Sequence, residues 1–84
     1  MKHYVIAGNL CELFKKAMAN QAWVITHQDV GQTELLAYGY VIVWEKEGNK
    51  VLLHYSDRQG LVQANLEISP AVYDEIMAMV QNLA

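Results

Sequence analysis

Residues 35–55, LLAYGYVIVWEKEGNKVLLHY, decide the fold of this chain. β-branched, aromatic and other apolar residues fill two segments, one on each side of the polar sequence Glu47-Gly48-Asn49. Such segments are typical of β-strands, and a short break that contains glycine predicts that they run antiparallel as a hairpin. The rest of the chain must extend this hairpin or cover it.

Three further strands are predicted around the hairpin. Lys2 to Ala7 alternates weakly and fits a short edge strand, where Lys2 discourages further pairing. Ala22 to His27 is β-branched and aromatic, and the polar residues after it predict a turn. Leu61 to Ile68 alternates cleanly between apolar and polar residues, so we expect one of its faces to meet water.

Two helices are predicted from their start sequences. Asn9 followed by Glu12 has the spacing of a capping box, which predicts a helix from about Leu10 to Asn20. Ser69-Pro70 is typical of a second helix start. The apolar stripe of that helix is Val72, Ile76, Met79, Val80 and Leu83.

The order of elements is therefore β-α-β-β-β-β-α. It indicates one α+β domain over residues 1–84, with a mainly antiparallel sheet and two helices packed on one face. A chain of 84 residues has one thin core and little room for a deep cleft.

Composition excludes several classes of function. The hydrophobic fraction of 54% exceeds the roughly 45 to 50% of an ordinary soluble domain, which indicates surplus apolar surface. Six basic against nine acidic residues argue against general nucleic-acid binding, which requires basic patches. The single cysteine cannot form an internal disulfide, and no stretch has the length of a secretory or membrane segment. We therefore expect a cytoplasmic protein that does not bind membranes.

The turn between the last two strands predicts which face the helices cover. A type I turn with a glycine bulge over Asp57 to Gly60 would pair Asp57 with Leu61. Leu52, His54 and Ser56 would then lie under the helices, because side chains alternate between the faces of a strand.

The hairpin turn leaves two registers open. A two-residue Gly48-Asn49 turn, which we favour, places the aromatic residues of the first strand on the uncovered face; a three-residue Glu47-Gly48-Asn49 loop places them in the core. In the favoured register, an apolar aromatic surface faces away from the helices. Its predicted residues are Tyr38, Tyr40, Ile42, Trp44, Val51, Leu53 and Tyr55.

This surface predicts a small non-enzymatic interaction domain that self-associates as a homodimer, or that binds and regulates or inhibits a protein partner. An alternative is a small-ligand module with a pocket between sheet and helices, lined by Tyr40, His54 and Tyr73. A second alternative is an enzyme that depends on Cys11, placed near a helix start where a thiol pKa can fall.

Other ionisable residues show no catalytic, metal or cofactor pattern. His3, His27 and His54 lack the paired spacing of a zinc site, so we expect neither a metal nor a cofactor. Polar residues in or near the predicted turns are the remaining candidates for acid-base chemistry, although we favour the interpretation that they are solvated turn residues. These residues are His27, Asp29, Glu34, Asp57 and Arg58.

Overall fold

The computed structural model describes residues 1–32 and 37–83, and it confirms the predicted α+β class and order of elements. The strands are β1 (Lys2–Val5), β2 (Val24–Gln32), β3 (Ala37–Lys46), β4 (Asn49–Arg58) and β5 (Leu61–Ile68), and the helices are α1 (Cys11–Asn20) and α2 (Tyr73–Gln81). The five strands form one sheet in the order β1-β5-β4-β3-β2, and all neighbours are antiparallel. Leu35 and Leu36, predicted to begin the hairpin, and the candidate Glu34 lie outside the described residues.

Each helix begins with a short 3-10 turn, over Gly8–Leu10 before α1 and over Pro70–Val72 before α2. The predicted capping box at Asn9 is wrong, because Asn9 lies inside the first of these turns and no side chain caps α1. Ser69 and Pro70 do start the second of these turns, as predicted, at its N-cap and first positions. The Ser69 hydroxyl makes no capping bond there; its oxygen accepts a hydrogen bond from the Lys50 backbone N–H at 2.8 Å.

Two hairpin turns within residues 37–83 each contain two residues in the left-handed backbone region. Glu47 and Gly48 join β3 to β4 with φ of 51° and 80°. Gln59 and Gly60 join β4 to β5 with φ of 56° and 88°. Left-handed conformation at both central residues defines the type I′ turn, whose twist matches that of the strands. The first turn therefore differs from both predicted registers, and the second replaces the predicted bulged loop.

The second turn reverses the predicted faces of the sheet. Arg58, not Asp57, pairs with Leu61, and a shift of one residue moves every side chain to the other face. Val51, Leu53 and Tyr55 consequently lie opposite the apolar stripe of β5, on the side covered by the helices. We call this side the helix face and the other side the outer face.

The core is one cluster between the helix face and the two helices. Phe14 of α1 packs edge-on against Trp44, with ring centroids 5.6 Å apart and an interplanar angle of 82°. The buried residues are Ile6, Cys11, Phe14, Met18, Trp23, Tyr40, Ile42, Trp44, Val51, Leu53, Ala64, Leu66, Ile68, Ile76 and Val80. Neither helix has the length and apolar composition to cross a membrane, over the residues described.

Candidate functional site

The prediction that the hairpin forms an exposed aromatic surface away from the helices is wrong. Its residues do share one face, as predicted, but that face is the helix face. Five of the seven are buried in the core, namely Tyr40, Ile42, Trp44, Val51 and Leu53. Tyr55 is half-buried, and Tyr38 exposes 43% of its surface. A partner can therefore reach only Tyr38 and Tyr55 among them.

The alternation of apolar and polar residues along β5 is enough to predict the correct pairing of β5 with β4. Its apolar stripe must pack against apolar partners on β4. The observed register supplies Val51, Leu53 and Tyr55, whereas the predicted register would have buried His54 and Ser56. Burying an unpaired imidazole or hydroxyl is unfavourable, so matching polarity across the two strands indicates the observed pairing.

Three tyrosines form a compact group on the helix face, toward one end of the β3–β4 pair and beside the core. Tyr40 and Tyr55 stack with centroids 4.9 Å apart, and Tyr38 contacts each of them edge-on at 6.2 Å. The Lys15 ammonium lies 4.8 Å from the Tyr40 ring centroid and 2.7 Å from the Glu12 carboxylate. Burial raises the pKa values of Tyr40 and Tyr55, so both phenols stay neutral at physiological pH.

Cys11 adjoins this group but does not have the features of a nucleophile. Its side chain is buried, and its Sγ lies 3.8 Å from the Ala7 carbonyl oxygen. Burial raises the pKa of the thiol and outweighs Tyr40 and Lys15, which lower it. The thiol is therefore protonated at neutral pH, whereas nucleophilic attack requires the thiolate.

The three histidines lie on the outer face of the sheet, whereas Asp57 lies on the helix face, opposite Tyr38 of β3. His3, His27 and His54 lie on β1, β2 and β4, and the Nδ1 of His3 lies 3.4 Å from the Glu67 carboxylate. Over residues 1–32 and 37–83, no three His, Cys, Asp or Glu residues are grouped so that they could hold a metal ion. Asp57 accepts a hydrogen bond from the Gly60 N–H at 3.0 Å, which is a structural role in the turn.

A depression of about 540 Å³ opens at one end of the sheet and is lined by residues of β2, β3, β4 and β5. Tyr40 and His54 both contribute to its lining. Tyr73 instead lies in α2, with the Lys2 ammonium 4.8 Å from its ring centroid. Contrary to the prediction, Tyr40, His54 and Tyr73 therefore do not line one pocket between the sheet and the helices.

The surface that sequence reasoning missed is the edge strand β2. The polar sequence from Gln28 to Gln32 predicts a turn. In the structure these residues instead pair with β3 and extend the strand to nine residues. Every residue from Val24 to Gly31 is exposed. Val24, Ile25 and Val30 expose 62%, 48% and 55% of their surface.

The outer face beside β2 is mixed in character. Val41, Val43 and Leu52 lie half-buried in its middle, and polar side chains surround them. These polar neighbours are His27, Asp29, Lys50, His54, Asn65 and Glu67. The outer face is thus less apolar than the predicted aromatic surface.

Comparison with known proteins finds no match to this chain among family models, curated proteins or solved structures.

Proposed function

We propose that this chain is a small non-enzymatic interaction domain that binds a protein by adding strand β2 to the partner's sheet. The exposure of β2 is the observation that supports this proposal most strongly. Along its free edge, a strand at the end of a sheet has unpaired backbone N–H and C=O groups, which can pair with another strand. Proteins usually protect such edges with short strands, lysine, proline or bulges. β2 contains nine residues and no Lys, Arg or Pro, and its register shift lies between Ile25 and His27, which leaves His27 to Gln32 as an uninterrupted edge.

The opposite edge of the sheet provides the contrast. β1 has four residues, begins with Lys2 and contains His3, whose Nδ1 lies 3.4 Å from Glu67. A short, charged strand resists the addition of another strand. Of the two edges, β2 is the one available to a partner.

The domain would act by occupying a partner's surface, as an inhibitor or regulator does. Pairing at β2 would give the backbone contacts, and Val24, Ile25 and Val30 would add apolar area worth roughly 25 cal/mol per Å² buried. We place this activity in the cytoplasm, in keeping with a lone cysteine that is a buried free thiol.

A lysine substitution tests the proposal. Val30→Lys puts a charge on the edge strand and should abolish the capture of specific partners from a lysate of the source cells. Leu13→Lys is the matched control, because Leu13 is also an exposed apolar residue, 45% accessible, but lies on α1. Both variants should retain the circular dichroism spectrum of the native chain.

Hydrogen exchange then identifies the surface that the captured partner covers. Backbone amides of β2 should exchange more slowly in the complex, while those of β1 should be unchanged. Partners captured equally by the native chain and Val30→Lys, with unprotected β2 amides, would contradict the proposal.

A second candidate function is small-ligand binding in the depression of about 540 Å³. This volume lies within the roughly 300 to 1,000 Å³ of known ligand sites, and Asp29, His54 and Arg58 supply polar groups. A screen of metabolites by thermal shift would test it. Ligands should raise the melting temperature of the native chain more than that of His54→Ala, and equal shifts would argue against this site.

A further inference from the structure

We infer that the partner of β2 is a second copy of this chain, paired antiparallel through β2 about a two-fold axis at Gln28. This inference rests on the proposed function, because it names the occupant of the same edge. The product is one continuous sheet of ten strands with the helices of both copies on the same side. Its support is the arrangement of charge along β2.

The side chains of β2 alternate between the two faces. His27 and Asp29 lie on the outer face, since they pair with Val43 and Val41 of β3. Gln28 lies on the helix face, opposite Ile42. The outer face of β2 therefore presents a basic donor and an acidic acceptor separated by one residue.

A two-fold axis through Gln28 makes this pattern complementary to itself. His27 of each copy then lies directly opposite Asp29 of the other, which gives two histidine-carboxylate pairs on the outer face. An imidazole N–H can donate to a carboxylate whether the ring is neutral or charged. On the helix face the two Gln28 amides meet, and each can both donate and accept.

Neighbouring registers lack this complementarity. An axis through Asp29 would place two carboxylates opposite each other, and an axis through His27 would place two imidazoles together. Like charges directly opposite are unfavourable in a sheet, whereas opposite charges are favourable. Of the three registers centred on His27, Gln28 and Asp29, charge therefore favours the one centred on Gln28.

The shape of the strand sets the length of the pairing. The irregularity in β2 lies between Ile25 and His27, and from His27 onward the strand pairs with β3 without interruption. A bulge increases twist and limits how far a straight partner can follow. The contact is therefore short, centred on His27 to Asp29, with the exposed Val30 beside it.

Sedimentation velocity across 1 to 500 µM, chosen to span about three decades, tests the inference on the full chain. The native chain should approach twice its mass of 9.5 kDa as concentration rises. His27→Asp places two pairs of carboxylates opposite each other and should weaken the dimer about tenfold or more. The double variant His27→Asp/Asp29→His exchanges the two residues and should restore dimerisation.

His54→Asp is the control for charge, because it makes the same change on the outer face but within the central strand β4. It should leave the dimer unchanged. A native chain that stays monomeric throughout, or a double variant no better than His27→Asp, would overturn the inference. If the native chain is monomeric but still captures a partner through β2, the dimer is refuted and the proposed function is not. If it neither dimerises nor captures a partner, the proposed function is refuted as well.

Discussion

The register of β4 can be tested with two adjacent leucines. Leu53 is completely buried on the helix face, between Ile42 and Leu66 on the neighbouring strands. Leu52 is half-exposed on the outer face, between Val43 and Glu67. Truncating one residue or the other to alanine therefore distinguishes the observed register from the shifted one.

The expected losses differ by several-fold. Removing a fully buried leucine side chain costs about 2 to 5 kcal/mol, since both transfer energy and a cavity are involved. Truncating the half-exposed neighbour should cost about 1 kcal/mol or less. An 84-residue domain has a free energy of unfolding of roughly 4 to 12 kcal/mol, so Leu53→Ala removes a large share of it.

Urea unfolding at about 1 µM, where self-association contributes least, measures both losses. The fluorescence of Trp23 and Trp44 reports the core, and circular dichroism gives an independent signal. With a slope of about 1 kcal/mol per M of urea, Leu53→Ala should lower the midpoint by about 2 M or more. Equal losses, or a greater loss in Leu52→Ala, would refute the assignment of the two faces.

Three further outcomes are expected. A Cβ on Gly8 would clash with Val62 Cγ1, so Gly8→Ala should cost about 1 to 3 kcal/mol in urea unfolding. The same change should cost much less in a Val62→Ala background, and an equal cost would exclude this contact as the cause. Ala22 has φ of 65°, so Ala22→Gly should stabilise the fold by about 1 kcal/mol, whereas Ala19→Gly inside α1 should destabilise it. Opposite signs in thermal unfolding would confirm this difference. Burial raises the pKa of Tyr40, so the folded state holds the phenolic proton more tightly than the unfolded chain does. The resulting stabilisation is complete below the ordinary pKa of 10.0 and is lost as pH rises through the folded-state pKa. Tyr40→Phe should therefore make the free energy of unfolding depend less on pH in this alkaline range. An unchanged dependence would show that other groups cause the loss of stability.

Much of the fold follows from local sequence pattern. The bounds of β5, Leu61–Ile68, and the end of α1 at Asn20 agree with prediction because apolar periodicity and helix-forming residues agree with the tertiary structure there. β2 was predicted too short, since pairing with β3 overrides the weak strand propensity of Gln28 to Gln32. Asn9 was predicted to cap α1, but the 3-10 turn over Gly8–Leu10 starts the helix differently.

The candidate surface was harder to predict because it depends on single residues in turns. Glu47 and Gln59 adopt left-handed conformations, which their residue types do not favour. Only the glycine that follows each of them suggests such a turn. An error of one residue at Gln59 exchanges core for surface, so the seven predicted contact residues were grouped correctly and assigned to the wrong side.

The two-residue turns also restrict how the length of this chain can change. A single residue inserted beside Gly48 or Gly60 has two outcomes: a local bulge absorbs it, or all side chains beyond it exchange faces. Insertions of two residues preserve the alternation and only lengthen the loop. Longer insertions, such as peptide tags joined by flexible linkers, should be tolerated with an even or an odd number of residues, because a flexible loop closes at little extra cost and the paired strands keep their register.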